Sequence, residues 1–468
     1  MTDTKLHLYF HKQDYENLAG PDWPQYNDFL QGQKSNIPEV QEEIDNFVKM
    51  YKQGGIKFPI QTATACQSKW TWSTLWLNQL ATSSCHRVQQ VPVDLNNFDN
   101  FHNVPKKLED RRLMLEGKWP QGGCETCRYV EEAGGFSDRH HNLGIRGLTP
   151  PELETDPLAI HVSPRIVEIF AHNTCNLSCL YCNGSLSSRI ENENKKFGAF
   201  KQNGVSIPVI TKPTSATIEY FEKFKNWLTN NINGLVRLHL LGGETFIQHD
   251  LLNSVLDIIE RHPNPKLELC IFSNLNVPEK YWNLYINRIK DLQAAGNIRV
   301  FDLTCSIDCW GPEQELVRWG LDLEKFEEKF AWASEQNESW LRVNVNQTIT
   351  NMTVKTMPEL IDKISHYSRH RHIGHYFQFI TEQHYLHPEI FSYEFWAKDF
   401  DRIFAAMPQR TVDQQEAIPR MQGMQKQLQQ ANQNNYKEIG QLCTYLDELD
   451  RRRNTDWRNL FSYLDISE

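Results

Sequence analysis

The sequence predicts an α/β fold: a partial (β/α)6 TIM-like barrel, preceded by a cysteine-bearing auxiliary domain and followed by a helical C-terminal extension. Three observations predict it. Short β-branched runs alternate with amphipathic stretches between residues 165 and 380, the signature of βαβ units on a parallel sheet. A triplet of cysteines follows directly on the first of those runs, where such a sheet places its chemistry. A second cysteine set lies upstream of the repeat, and a polar, helix-patterned region lies downstream.

In chain order, residues 1–60 form an N-terminal extension with no usable pattern. Residues 61–159 are turn-rich and tryptophan-rich (Trp70, Trp72, Trp76, Trp119), with few clear strands, and form the auxiliary domain. The tract Gly147–Pro164 carries four prolines and reads as a linker. Within 160–390, six strands are predicted at Arg165–Ala171, Leu235–Leu241, Lys266–Asn274, Ile298–Asp308, Leu341–Thr350 and His375–Ile380. Helical spacing fills 215–231, 248–262, 278–294, 321–337 and 355–367 between them. Six units fall short of a closed eight-stranded barrel, and the active site belongs on the loops at the C-terminal strand ends. Residues 391–468 are helical, with a Gln/Asn-rich stretch from Asp413 to Asn435.

The chain has 468 residues, and its 49 Lys and Arg against 59 Asp and Glu give a net charge of −10. That balance argues against broad binding of nucleic acid or anionic membrane. No stretch approaches the ~18 consecutive apolar residues of a membrane span. The start, MTDTKLHLYFHKQDYENLAG, has no basic region followed by an apolar run, so the expectation is a cytoplasmic protein without a secretory signal. Eleven cysteines in a reducing compartment point to metal or chemistry and away from disulfides.

The strongest chemical signal is Cys175-Asn-Leu-Ser-Cys179-Leu-Tyr-Cys182. Three thiolates on one loop reach three corners of a cubane iron–sulfur cluster. The missing fourth local cysteine leaves one iron with an open position, as in catalytic metal sites. A zinc site or coincidental buried thiols is the competing reading.

This loop resembles the cluster-binding loop of the radical S-adenosylmethionine (radical SAM) enzymes, including an aromatic residue, Tyr181, before the last cysteine. The resemblance implies a [4Fe–4S] cluster whose open iron takes the amino and carboxylate groups of S-adenosylmethionine. One electron then splits that molecule to methionine and a 5′-deoxyadenosyl radical. It also implies cofactor contacts elsewhere. Gly242-Gly243-Glu244 is similar to the family's GGE motif, with Glu244 suited to the α-ammonium of S-adenosylmethionine. Ser273 and Asn274 end the third strand, where relatives contact ribose or methionine. Ser306-Ile307-Asp308 is similar to the family's SID segment, in which the serine contacts the cofactor and the aspartate shapes the loop. Arg318 resembles the arginine that meets carboxylate or ribose, although a solvated arginine is the rival. Asn344, Asn346 and Asn351 flank the fifth strand as further polar candidates, and Gln378-Phe379-Ile380 would line the pocket. Cys305 and Cys309 depart from the family pattern and read as packing thiols, as does Cys443.

Upstream, Cys66, Cys85, Cys124 and Cys127 suffice for a fully ligated zinc or an iron–sulfur cluster, and spacing alone favours zinc. The segment resembles the twitch relative of the SPASM auxiliary domain, with Glu131 or Glu132, Gly134, Ser137 and Arg139 in its E…G…SxR positions. That resemblance implies an auxiliary iron–sulfur cluster. The chain lacks the usual glycine turn and carries the domain N-terminal to the core. His86, His140 and His141 are alternative ligands whose simpler reading is surface or supporting histidines.

The resemblance implies an enzyme that abstracts hydrogen from a substrate C–H bond, with a reductase or flavodoxin-type electron donor. A peptide or natural-product precursor is the leading substrate class, with a sugar- or nucleoside-like small molecule close behind. A non-enzymatic zinc-binding scaffold is the competing class.

Overall fold

The computed structural model of the protein describes residues 58–60, 62–132, 137–139, 148–198, 200–202, 205–206, 215–337, 339–369, 371–408, 412–431 and 433–464. Most of the N-terminal extension, Gly134, His140 and His141 lie outside the described residues. The strands are β1 Trp72–Trp76, β2 Ala81–Ser83, β3 Val91–Pro92, β4 Ile166–Phe170, β5 Ser178–Cys179, β6 Lys201–Gln202 and β7 Val205–Ser206. They continue with β8 Arg237–Leu241, β9 Glu268–Ser273, β10 Val300–Ser306, β11 Arg318–Trp319, β12 Leu341–Ile349 and β13 Ile373–Phe379.

Nine of these form one mixed sheet in the order β13-β12-β10-β9-β8-β4-β1-β2-β3. All ladders from β1 to β13 through β4, β8, β9, β10 and β12 are parallel. Only β2 and β3 run antiparallel. The six predicted strands correspond to β4, β8, β9, β10, β12 and β13, and the helices Ser215–Asn231, His249–Arg261, Glu279–Ala294, Leu323–Glu335 and Met357–Tyr367 lie between them.

Alternation along the strands makes two unlike faces. One face is apolar (Val167 and Ile169, Leu238 and Leu240, Leu269 and Ile271, Val343 and Val345) and packs in the main core. Helix His249–Arg261 covers it with Leu251, Leu252, Val255, Leu256, Ile258 and Ile259, the spacing of a wide apolar stripe. The opposite face is polar and aromatic, and its charges are paired within the sheet. Glu268 accepts from Arg237 at 2.5 Å and from Arg342 at 3.3 Å, and also meets Arg299. Glu168 accepts from Thr74 at 2.9 Å.

The segment upstream of residue 160 is built onto this sheet. Strand β1 lies parallel to β4, in register Trp72↔Ile166 to Trp76↔Phe170, so the expectation of a mostly irregular segment misses a sheet strand. The proline-rich tract is likewise tied down: Trp70 Nε1 donates to Ala159 O at 2.9 Å, Arg111 to Ile160 O at 2.6 Å, and Asn103 to Val162 O at 3.1 Å. Its prolines mark turns, but its carbonyls serve as acceptors for a neighbouring unit.

The C-terminal helices Tyr393–Ala406, Val412–Leu428 and Tyr436–Arg453 build a second core with β13. Asn435 caps the last of them through the amide of Glu438, and Asn454, at φ 55°, ends it. Among the described residues no helix is long and apolar enough to cross a membrane.

Candidate functional site

The cysteine loop leaves β4 and is held from four sides. Its middle, β5, pairs antiparallel with β11 in the register Arg318↔Cys179 and Trp319↔Ser178. Leu180 N donates to Val317 O at 2.8 Å, and Tyr445 Oη, from the last long helix, donates to Leu180 O at 2.6 Å. Ser187 Oγ donates to Leu177 O at 2.7 Å, and Cys175 N donates to Ser188 Oγ at 3.1 Å. Asn176 bridges to the loop after β9 through Asn274 and Asn276 O.

The loop after β8 packs directly on this one. Gly243 N donates to His172 O at 3.0 Å and Glu244 N to Thr174 O at 2.8 Å. A Cβ on Gly243 would stand 2.2 Å from Thr174 O and 2.8 Å from Cys175 Cβ, so only glycine allows the approach. Gly242, at φ +137°, is closed in the same way by His172 O.

Glu244 is fully buried and has no ion-pair partner among the described residues. Its carboxylate accepts from Phe246 N at 3.1 Å, Ser273 Oγ at 2.9 Å and Asn274 N at 2.7 Å. Burial nevertheless outweighs these donors and pushes its pKa up to about 7. Ser273 and Asn274, expected as cofactor contacts, thus bind the glutamate and the neighbouring loops.

Arg318 is expected to meet a cofactor carboxylate or ribose. In the structure its guanidinium forms a two-point contact with Asp308, at 2.8 and 3.0 Å, both side chains being buried. Tyr181 Oη donates to the same carboxylate at 2.8 Å, and Thr348 N does so at 2.9 Å. Gln347 and Gln314, neither singled out by the sequence, hold the Asp308 backbone from both sides.

The three thiols act on one another. Burial, then Cys179, pushes Cys175 up to about 12. Burial, then Cys179 and Cys175, holds Cys182 well above the usual thiol range. Cys179 is also raised by burial, and Arg318 opposes that rise. Such thiols stay protonated unless a cation beside them favours the thiolate.

At the carboxyl ends of the sheet, Ser306 and Asn346 face each other across the β10–β12 ladder, both half-buried. Neither side chain bonds another described residue. Asn344 donates to Asp302 at 2.6 Å and Asn351 to Tyr385 O at 2.9 Å, so both serve the scaffold. Half-buried Gln378 lies on β13 opposite Thr348. Cys305 and Cys309 are buried, and Cys309 Sγ reaches Gln314 Oε1 at 3.4 Å. A small, open cleft lies beside the cysteine loop, lined by Trp76, Phe170, His172, Ser185, Leu186 and Gly242 among others. Trp76 and Phe170 stack at 4.0 Å, as their register dictates.

The upstream cysteines come from three elements: Cys66 precedes helix Gln67–Thr71, Cys85 follows β2, and Cys124 and Cys127 open helix Cys124–Glu132. Burial, then Cys85, Cys124 and Cys127, pushes Cys66 up to about 12. Burial takes Cys124 to about 11 against the pull of Lys69. Of the two candidate acids, Glu131 takes both partners, Ser137 Oγ at 2.5 Å and Arg139 Nε at 2.7 Å. His86 lies 3.6 Å from Asp138, which also pairs with Arg87. Among the described residues, no three His, Cys, Asp or Glu side chains are close enough together to share one metal ion.

No protein-family model matches the chain. A comparison with curated proteins finds no match either.

Proposed function

We propose that the protein is a radical SAM enzyme whose six parallel strands form a partial barrel around the cysteine loop. The observation that carries this reading is the docking of the cysteine loop, at Thr174 and Cys175, against Gly243 and a buried Glu244 that has no ion-pair partner among the described residues. When bound at this loop, a [4Fe–4S] cluster supplies the electron that splits S-adenosylmethionine, so that hydrogen is taken from a substrate C–H bond.

The residues have distinct tasks in this reading. Cys175, Cys179 and Cys182 hold the cluster. Glu244 receives an ammonium group, which lowers its pKa from about 7 and removes the cost of its buried charge. Gly242 and Gly243 keep that loop close to the cysteines. The Tyr181–Asp308–Arg318 set holds the loop rigid and keeps one positive charge near Cys179. Ser306 and Asn346 offer polar groups on the strand ends that bond no other described residue.

Cys66, Cys85, Cys124 and Cys127 hold the auxiliary centre. The likeness of this segment to the twitch domain is what favours an iron–sulfur cluster over zinc. A peptide or natural-product precursor is the substrate class we favour, with a small sugar- or nucleoside-like molecule second. A flavodoxin-type protein is the proposed electron donor.

The test is release of 5′-deoxyadenosine from S-adenosylmethionine by anaerobically reconstituted protein with dithionite. Cys175→Ala, Cys179→Ala and Cys182→Ala should each abolish it. Colourless, folded protein holding two zinc ions would support the scaffold reading instead.

A further inference from the structure

One patch on the polar face of the sheet carries buried polar atoms that the protein itself does not satisfy. Register sets Thr74, Glu168 and His239 side by side on β1, β4 and β8, with Trp72 on the same face two residues before Thr74. His239 is 8 % exposed, and neither ring nitrogen has a hydrogen-bond partner among the described residues. Trp72 Nε1 is buried and equally unmatched. The two rings meet edge to face with centroids 5.2 Å apart, and half-buried Phe272 lies 6.3 Å from the imidazole. Glu168 is buried between the strands of Thr74 and His239. One of its oxygens accepts from Thr74 at 2.9 Å, and the other stands 3.5 Å from His239 Nδ1, beyond a good hydrogen bond.

Buried polar atoms of native proteins are almost always hydrogen-bonded, and breaches of that rule gather at functional sites. Apolar side chains of the same shape would fill this patch without the loss. A metal ion does not explain it, because among the described residues no third His, Cys, Asp or Glu stands close enough to share one with Glu168 and His239. The unmatched atoms themselves describe the missing partner. Trp72 can only donate, a neutral imidazole donates once and accepts once, and the carboxylate accepts. An anion would face the charge of Glu168, and an ammonium would leave the indole N–H unmatched. A planar amide offers its carbonyl to the indole and its N–H to the imidazole or the carboxylate. The flat rings of Trp72 and Phe272 suit a flat group.

We propose that Trp72, Glu168 and His239 anchor the substrate on the polar face of the sheet by binding an amide, either of a peptide or of the lactam edge of a base. The inference rests on the radical SAM reading in taking the bound molecule to be the substrate. Trp72 belongs to the upstream unit, which therefore supplies part of this site whatever its cysteines bind.

The experiment follows the indole N–H resonance of Trp72, assigned by its absence from Trp72→Phe, in the reconstituted full chain. N-methylacetamide should shift it downfield to saturation, whereas sodium acetate and methylammonium chloride should not. His239→Phe should weaken N-methylacetamide roughly 2–10-fold, the scale of one hydrogen bond. The same variant should leave the thermal midpoint unchanged or raise it, because it removes buried polar atoms that nothing satisfies. His239→Leu serves if the phenyl ring does not fit. Acetyl-trialanine amide and uridine separate the two sources of the amide, the tighter binder naming the source. No saturable shift, equal shifts with all three small probes, or tighter binding of ethylene glycol would overturn the inference. So would a lowered midpoint with unchanged affinity, which would leave His239 a packing ring between Trp72 and Phe272. Release of 5′-deoxyadenosine by the wild type is measured alongside. Release without amide binding overturns the inference alone, and amide binding without release supports the site while overturning the radical SAM reading.

Discussion

Arg318 and Cys179 are backbone partners in the β11–β5 ladder, so the arginine that pairs with buried Asp308 is fixed in register with the middle cysteine of the loop. Removing its guanidinium leaves Asp308, 0 % exposed, without a counter-ion. Arg318→Met should cost about 3–5 kcal/mol in urea unfolding. Arg318→Lys should recover only part of this, since an ammonium cannot make the two-point contact. Arg318→Met should also bind less iron at the core loop, because Cys179 loses the charge that favours its thiolate.

Gly243→Ala tests the docking of the two loops. The added Cβ would meet the backbone oxygen of Thr174 and the side chain of Cys175, neither of which is a flexible tip. The expected outcome is a folded protein, by circular dichroism, that keeps upstream metal and loses iron from the core loop. Normal iron content at both sites would show that the loops need not approach so closely.

Glu244 predicts a pH dependence in the metal-free protein. Its pKa rises from an ordinary 4.5 to about 7 on folding, because burial disfavours the carboxylate. Between those values the native state keeps a proton that the unfolded chain has lost. The stability contributed by that proton is full below about pH 4.5 and disappears as pH rises through about 7. The gap corresponds to roughly 3 kcal/mol. Compared with Glu244→Gln, the wild type should therefore lose about that much in urea unfolding between pH 5 and pH 8. Parallel curves would mean that the buried carboxylate has found a cation.

Tyr445 ties the C-terminal extension to the cysteine loop over 265 residues of sequence. Tyr445→Phe leaves the Leu180 carbonyl without that donor and should cost about 1–2 kcal/mol. Amide hydrogen exchange over 178–182 should speed up, with the β4–β8 ladder unchanged. If exchange is unaltered, the helix stabilises the fold without bracing the loop.

The strands and helices of 165–380 were legible because their apolar periods are local and strong; the predicted helix at 248–262 and the observed His249–Arg261 differ by one residue at each end. The position of the cysteine loop followed from its spacing and from the strand before it. Pairings between polar residues were not legible. That Arg318 meets Asp308, or that Ser273 and Asn274 serve Glu244, depends on which strand ends lie side by side. Strand β1 was missed because Trp72–Trp76 mixes large aromatics with Ser73 and Thr74 and lacks a clean alternation. Nothing in the sequence singles out Lys69, Lys107 and Arg111, which are buried. Their burial is a property of the upstream unit as a whole, and no local pattern carries it.

The most direct test of the central claim is the electron paramagnetic resonance spectrum of dithionite-reduced protein lacking the four upstream cysteines, recorded with and without S-adenosylmethionine. The account predicts a reduced [4Fe–4S] signal that changes shape when S-adenosylmethionine is added, as it must if one iron is free to bind it. A signal that ignores S-adenosylmethionine, or folded protein with no iron on Cys175, Cys179 and Cys182, would contradict it.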